Sequence, residues 1–180
     1  MAHSNYTRTA ISLHWLLALA LIGTFALGLY MSDLPLSPNK LRLYSWHKWT
    51  GVTIFLLVWL RLVWRLTHRP PAPPVGMPVW QQRAAELVHR LLYVLMIAIP
   101  LSGWLMSSAK GFQTVYFGVL PLPDLLAKNK ALGETLTTVH QALNFTMGLV
   151  LAHVGAALKH HFIDRDGVLA RMLPFIKKAD

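Results

Sequence analysis

Residues 135–158 read TLTTVHQALNFTMGLVLAHVGAAL, a stretch with no charged side chain between Glu134 and Lys159, histidine counted as neutral. At about 1.5 Å per residue, a helical run of this length crosses a hydrocarbon core of roughly 30 Å. It carries two histidines, His140 and His153, thirteen residues apart. Along a helix axis that is about 20 Å, which sets one imidazole in each half of a bilayer. An ionisable group at such depth is costly and marks a functional site by default.

Two more stretches have the same character. Residues 9–32 are uncharged between Arg8 and Asp33, and residues 91–109 between Arg90 and Lys110. A fourth, about 44–66, is uncharged only over Trp49–Leu60. Its flanking Lys48 and Arg61 are long enough to snorkel to a membrane surface, and Trp46, Trp49, Trp59 and Trp64 suit the two interfaces. The expected spans are about 10–31, 44–66, 81–108 and 135–160, an all-α, four-helix transmembrane bundle forming a single domain over 1–180. Pro35 and Pro38 are expected to break the chain between the first two spans. The run Arg69-Pro70-Pro71-Ala72-Pro73-Pro74 reads as a stiff connector, and Pro100 is expected to kink the third span. The longer 109–133 loop has room for a short helix. An apolar patch near Leu169–Ile176, in an otherwise polar tail, is expected to rest on the membrane surface. Residues 1–30 do not read as a cleaved leader, because the apolar run is too long for a signal core and contains His14.

Composition agrees. Of 180 residues, 54% are hydrophobic and 13% charged, about half the charged share of a soluble domain. The absence of cysteine excludes disulfides, thiolate-bound iron–sulfur clusters and thioether-attached haem. The net charge of +10 does not point to nucleic acid, because the basic residues gather at helix ends and form no single stripe. With both termini and the 67–83 loop on one side, that side takes eleven of the 17 Lys and Arg residues, Lys177 and Lys178 among them. The other takes Lys40, Arg42, Lys48, Lys110, Lys128 and Lys130. The positive-inside rule then puts both termini in the cytoplasm.

Of nine histidines, His3, His68, His160 and His161 fall outside the spans or at their ends, where solvent or headgroup contact accounts for them. His14, His47, His89, His140 and His153 fall inside. With alternating helix direction, His14, His89 and His153 lie toward the cytoplasm, and His47 and His140 toward the outer face. A porphyrin held edge-on between helices needs two imidazoles at equal depth on different helices. His47 and His140 meet that need, and at the inner level His153 has two candidate partners, His14 and His89. Neutral imidazole suits haem iron because one ring nitrogen donates to the metal while the other is held by a hydrogen bond. The other role open to His89 is in a proton relay or a quinone pocket. Gly51, one turn on from His47, either lets a flat ring approach the backbone or serves small-residue helix packing, and Gly148 and Gly155 offer the same choice. A single zinc or copper centre wants three or four ligands in one cluster, against which the pairing of these histidines argues.

Four pieces taken together resemble the prokaryotic cytochrome b561 family: Ile11-Ser12-Leu13-His14-Trp15; His47 followed by Gly51; the stretch HRLLYVLMIAIP from His89 to Pro100; and His140 through His153 with His160-His161-Phe162. The resemblance spans nearly the whole chain, with Val139 standing where a tryptophan is expected. It implies two haems b, with the last helix supplying one axial ligand to each, and the iron-binding pairs His14/His153 and His47/His140. It also implies a multi-pass protein of the bacterial inner membrane that works with ubiquinone, and a superoxide oxidase-like reaction in which superoxide gives its electron to haem and the electron passes to ubiquinone. Lys40, Arg42 and Lys48 would then steer the anionic substrate, or else be plain loop charges. Arg61, Arg65 and Arg90 would pair with haem propionates or anchor helix ends. His89, Lys159 and His160, with His161, are placed to serve a quinone or relay protons. A second expectation is a membrane-anchor subunit that passes electrons between a partner dehydrogenase or hydrogenase and the quinone pool, with the partner on the 109–133 loop. A third is a haem-free transporter or scaffold.

Overall fold

A computed structural model of the chain describes residues 5–176. His3, Lys177 and Lys178 lie outside the described residues. Helix α1 spans Arg8–Ser32, and its first turn is closed by Thr7, whose Oγ1 accepts from the Ala10 amide at 3.2 Å. Helix α2 spans Pro38–Thr67, six residues ahead of its expected start at 44. Pro38, read from the sequence as a breaker, occupies the first helical position, where a missing N–H removes no bond. Ser37 Oγ accepts from the Lys40 amide at 3.2 Å and caps the turn. Helix α3 spans Val79–Ala109 and runs on through Pro100.

The fourth span departs from expectation. One continuous helix over 135–160 is replaced by α4 (Lys130–Ala142), a single 3-10 turn (Leu143–Phe145) and α5 (Thr146–Lys159), followed by a π-helical turn (His160–Asp164). The tightened turn is centred on Asn144, whose short amide is a weak helix former. Helix α4 starts early because Asn129 Oδ1 accepts from the Leu132 amide at 3.0 Å. The four runs, 25, 30, 31 and 35 residues long, are each long and apolar enough to cross a membrane. The fold class is all-α with four transmembrane helices.

Between α3 and α4, in the loop with room for a short helix, the chain forms a hairpin. Strands β1 (Val115–Tyr116) and β2 (Leu120–Pro121) pair antiparallel, Val115 opposite Pro121 and Tyr116 opposite Leu120. The reversal needs left-handed backbone, which Gly118 supplies at φ 74° and Phe117 adopts at φ 50°. Phe117 is held there by the rings of Tyr116 and Trp49, at centroid distances of 4.4 and 5.4 Å.

The chain packs as two compact units. One, the terminal unit, comprises α1 up to Trp15, Leu60–Val94, and Phe145 onward. In it Trp64 Nε1 donates to Thr7 Oγ1 at 2.9 Å, and Trp15 Nε1 donates to the Met172 carbonyl at 2.8 Å. Arg171 donates to the Ala72 carbonyl in the proline-rich connector at 2.6 Å. The tail therefore folds back on its own unit: Met172 and Leu173 are half-buried, and Phe175 alone of the large side chains there is exposed.

The other, the loop unit, comprises Leu16–Trp59 and Leu95–Asn144. Leu17, Ile54, Val58 and Ala109 are its most deeply buried apolar side chains. The 109–133 loop is fastened to α2 by Trp49 Nε1 to the Val115 carbonyl (2.7 Å), Lys48 Nζ to the Phe112 carbonyl (3.0 Å) and Thr53 Oγ1 with Tyr116 Oη (2.8 Å). Leu19, Ile22, Leu56, Val63 and Leu151 stay exposed along the helices, as side chains facing lipid do.

Candidate functional site

In the loop unit, His47 on α2 and His140 on α4 face each other with ring centroids 6.2 Å apart and planes at 86°. Two glycines let other helices pass close by. A Cβ at Gly28 would stand 3.1 Å from His47 Cε1, and one at Gly103 would stand 3.1 Å from His140 Cε1. Ser102, next to Gly103 on α3, donates its hydroxyl to the Ile99 carbonyl at 2.7 Å, so its oxygen accepts from His140 Nδ1 at 2.9 Å. That bond fixes the His140 tautomer and leaves the Nε2 lone pair for a ligand. His47 Nδ1 is buried and has no hydrogen-bond partner, as is Thr24 Oγ1 in the same unit.

In the terminal unit, His153 on α5 lies between two other imidazoles. His14 on α1 stands at 6.2 Å, centroid to centroid, with planes at 59°, and His89 on α3 at 5.2 Å with planes at 69°. All five intramembrane histidines singled out by the sequence thus fall into one pair and one trio.

Two imidazoles that grip one metal from opposite sides stand roughly 6 Å apart, given about 2 Å for each metal–nitrogen bond and about 1 Å from nitrogen to ring centre. The 6.2 Å of His47 with His140 and of His14 with His153 meets this, whereas the 5.2 Å of His89 with His153 falls short. The neutral donor set, with the orphaned Nδ1 of His47, fits a haem iron.

The remaining expected site residues divide. Lys159 Nζ lies against both carboxylate oxygens of Asp164, at 2.8 and 2.6 Å. His160 Nδ1 meets Asp166 Oδ2 at 2.6 Å. His161 Nδ1 is buried without a partner. Lys40 Nζ donates to the carbonyls of Ser32 (3.1 Å) and Leu34 (2.5 Å), closing the α1–α2 loop, and Lys48 holds Phe112 as described. Arg42 donates to Asn39 Oδ1 at 3.1 Å. Arg90 pairs with Glu86 one turn earlier on the exposed face of α3. Arg61 Nε donates to Tyr93 Oη at 2.8 Å.

Gly51, Gly148 and Gly155 have nothing within 4 Å of an added Cβ, so helix packing does not account for them. The residues that spacing missed are Ser102, Gly28, Gly103, Tyr93, Asp164 and Asp166. Only the aspartates left a readable sign, since His160 and Asp164 are one turn apart.

Residues 5–175 match the family described as prokaryotic cytochrome b561. The chain is similar to Cytochrome b561 homolog 2 of Escherichia coli (strain K12), 34% identical over 171 residues that cover 94% of this chain and 91% of that protein. It is similar to Cytochrome b561 homolog 1 of the same organism, 31% identical over 175 residues, 95% and 98% of the two chains. It is also similar to a Yersinia pestis protein named "Probable superoxide oxidase CybB", 30% identical over 179 residues, 96% and 97% of the two chains. With four spans and histidines on every one of them, the chain belongs to the prokaryotic cytochrome b561 family, multi-pass bacterial membrane proteins that transfer electrons with haem b.

Proposed function

We propose that the chain binds two haems b, one between His14 and His153 and one between His47 and His140, and carries electrons from superoxide to ubiquinone. The observation behind this reading is the pair of equal 6.2 Å histidine separations. The shorter 5.2 Å approach of His89 to His153 leaves His89 beside the ligand pair, suited to a quinone or a proton. The name of the Yersinia relative supports superoxide as the donor. Bound haem supplies the one-electron chemistry: two superoxides leave as dioxygen, and their two electrons with two protons convert ubiquinone to ubiquinol.

The chain's own residues bind and orient. Ser102 holds His140 in the tautomer an iron ligand needs. The open space beside Gly51, Gly148 and Gly155 lets a flat macrocycle lie against backbone. Lys159 and His160, with Asp164 and Asp166, give a protonatable chain at the end of α5 from which a quinone draws its protons. Lys40 and Lys48 are engaged by backbone carbonyls, so attraction of superoxide falls to the summed field of Lys40, Arg42 and Lys48. The four spans work as one domain over 1–180, with both termini cytoplasmic.

The test has two arms. A reduced-minus-oxidised spectrum with a haem-to-protein ratio is expected to give two b-type centres, and His140→Ala and His153→Ala are each expected to remove a different one. With superoxide and a short-tailed ubiquinone analogue, the wild type is expected to consume superoxide faster than either variant; equal rates reject the reaction. The exposed hairpin tip, with Phe117 at 58% and Val119 at 81% exposure, favours the anchor-subunit reading as the second. Co-purification of a stable iron–sulfur partner distinguishes it.

A further inference from the structure

Two guanidiniums at the end of α2 have no carboxylate. Arg61 Nε donates to Tyr93 Oη at 2.8 Å, and the Arg61 and Arg65 Cζ atoms lie 5.8 and 5.7 Å from the centroid of the same tyrosine ring. Among the described residues, the ion pairs of Glu86, Asp164 and Asp166 are made with Arg90, Lys159 and His160, and no carboxylate reaches Arg61 or Arg65. A cation close to a membrane core without a counter-ion is expensive. Guanidinium forks that present several N–H donors answer that cost best with an oxyanion.

The surroundings form a seat. A cavity of about 30 Å³ is walled by Tyr6, Arg61, Trp64, Arg65, Tyr93 and Met172. That volume admits a small polar group such as the tip of a carboxylate or phosphate. Its walls are pinned: Trp64 is tied to Thr7 and stacked on His68 at 3.8 Å, and Met172 is tied to Trp15. Tyr93 follows His89 by one turn on the same face of α3, and His89 lies 5.2 Å from His153, ring centroid to ring centroid, so the seat adjoins the histidine trio.

We propose that Arg61 and Arg65 form an oxyanion seat for a propionate carboxylate of the haem held by His14 and His153, with Tyr93 as the positioning residue that aims Arg61. This depends on the two-haem reading above. An inner-leaflet lipid phosphate has the same chemistry and is the rival source.

The experiment is a spectroelectrochemical titration of the purified two-haem protein and of Arg61→Gln, Arg65→Gln and Tyr93→Phe, with co-purified phospholipid counted by native mass spectrometry. Removing a cation beside a propionate favours the ferric state. In Arg61→Gln, one haem is therefore expected to show about a tenfold lower ferrous-to-ferric ratio at fixed potential, about 59 mV for a one-electron couple. The other haem and the lipid count stay as in the wild type. Arg65→Gln and Tyr93→Phe are expected to move the same haem less, and they carry the test if Arg61→Gln fails to fold. Unmoved potentials with full haem content overturn the proposal. Unmoved potentials with a lost phospholipid overturn it in favour of the lipid source. A wild type with fewer than two haems refutes the underlying reading instead, and is seen before any variant is made.

Discussion

His140 is held by one hydroxyl and one missing side chain. Ser102 sets its proton on Nδ1, and Gly103 lets α3 come within van der Waals contact of its ring. Partners of this kind typically alter metal affinity about tenfold to a hundredfold when removed. Ser102→Ala is thus expected to loosen one haem by roughly that factor and leave the other unchanged, which haem transfer to an excess of apomyoglobin measures by its two rates. The histidines themselves were legible because an imidazole in an uncharged run stands out against the cost of placing it there. Ser102 was not, because a serine on an apolar helix is ordinary and only packing brings it to His140 from 38 positions away. Arg61, Arg65 and Arg90 looked alike in sequence; Glu86 neutralises Arg90, while Tyr93 gathers the other two.

Among the elements, the spans were readable and their ends were not. Charge-free runs report where lipid can lie, but a helix continues into water wherever a cap holds it. Ser37 and Asn129 supply such caps, and each carries its helix outward past the expected boundary. Asn129→Ala is expected to cost about 1 kcal/mol at that helix end, seen as roughly fivefold faster amide exchange at Leu132. The 3-10 turn at Leu143–Phe145 left no proline or glycine to announce it. The hairpin was hidden for a different reason. Val115–Pro121 is a short apolar run, which periodicity alone does not assign to strand or helix.

For the molecule as a whole, topology is the property most exposed to test. The terminal unit holds α1 up to Trp15, the α2–α3 connector and the tail, while the loop unit holds the other two connections. Because the chain has no cysteine, a single introduced thiol reports its side of the membrane without background. In intact spheroplasts, Gln113→Cys is expected to react with a membrane-impermeant maleimide, and Ala72→Cys only after lysis. The reverse pattern rejects the orientation.

The bond from Trp15 to the carbonyl of Met172 links the residue after His14 to one made 157 residues later. During biogenesis the first helix enters the bilayer long before that acceptor has been synthesised. A nascent chain stalled short of Met172 would leave the indole without its latch, beside an incompletely walled histidine trio. Synthesis as far as Met172 is thereby coupled to closure of the walls around the trio, so that products cut short of it are expected to be ready targets for membrane proteases.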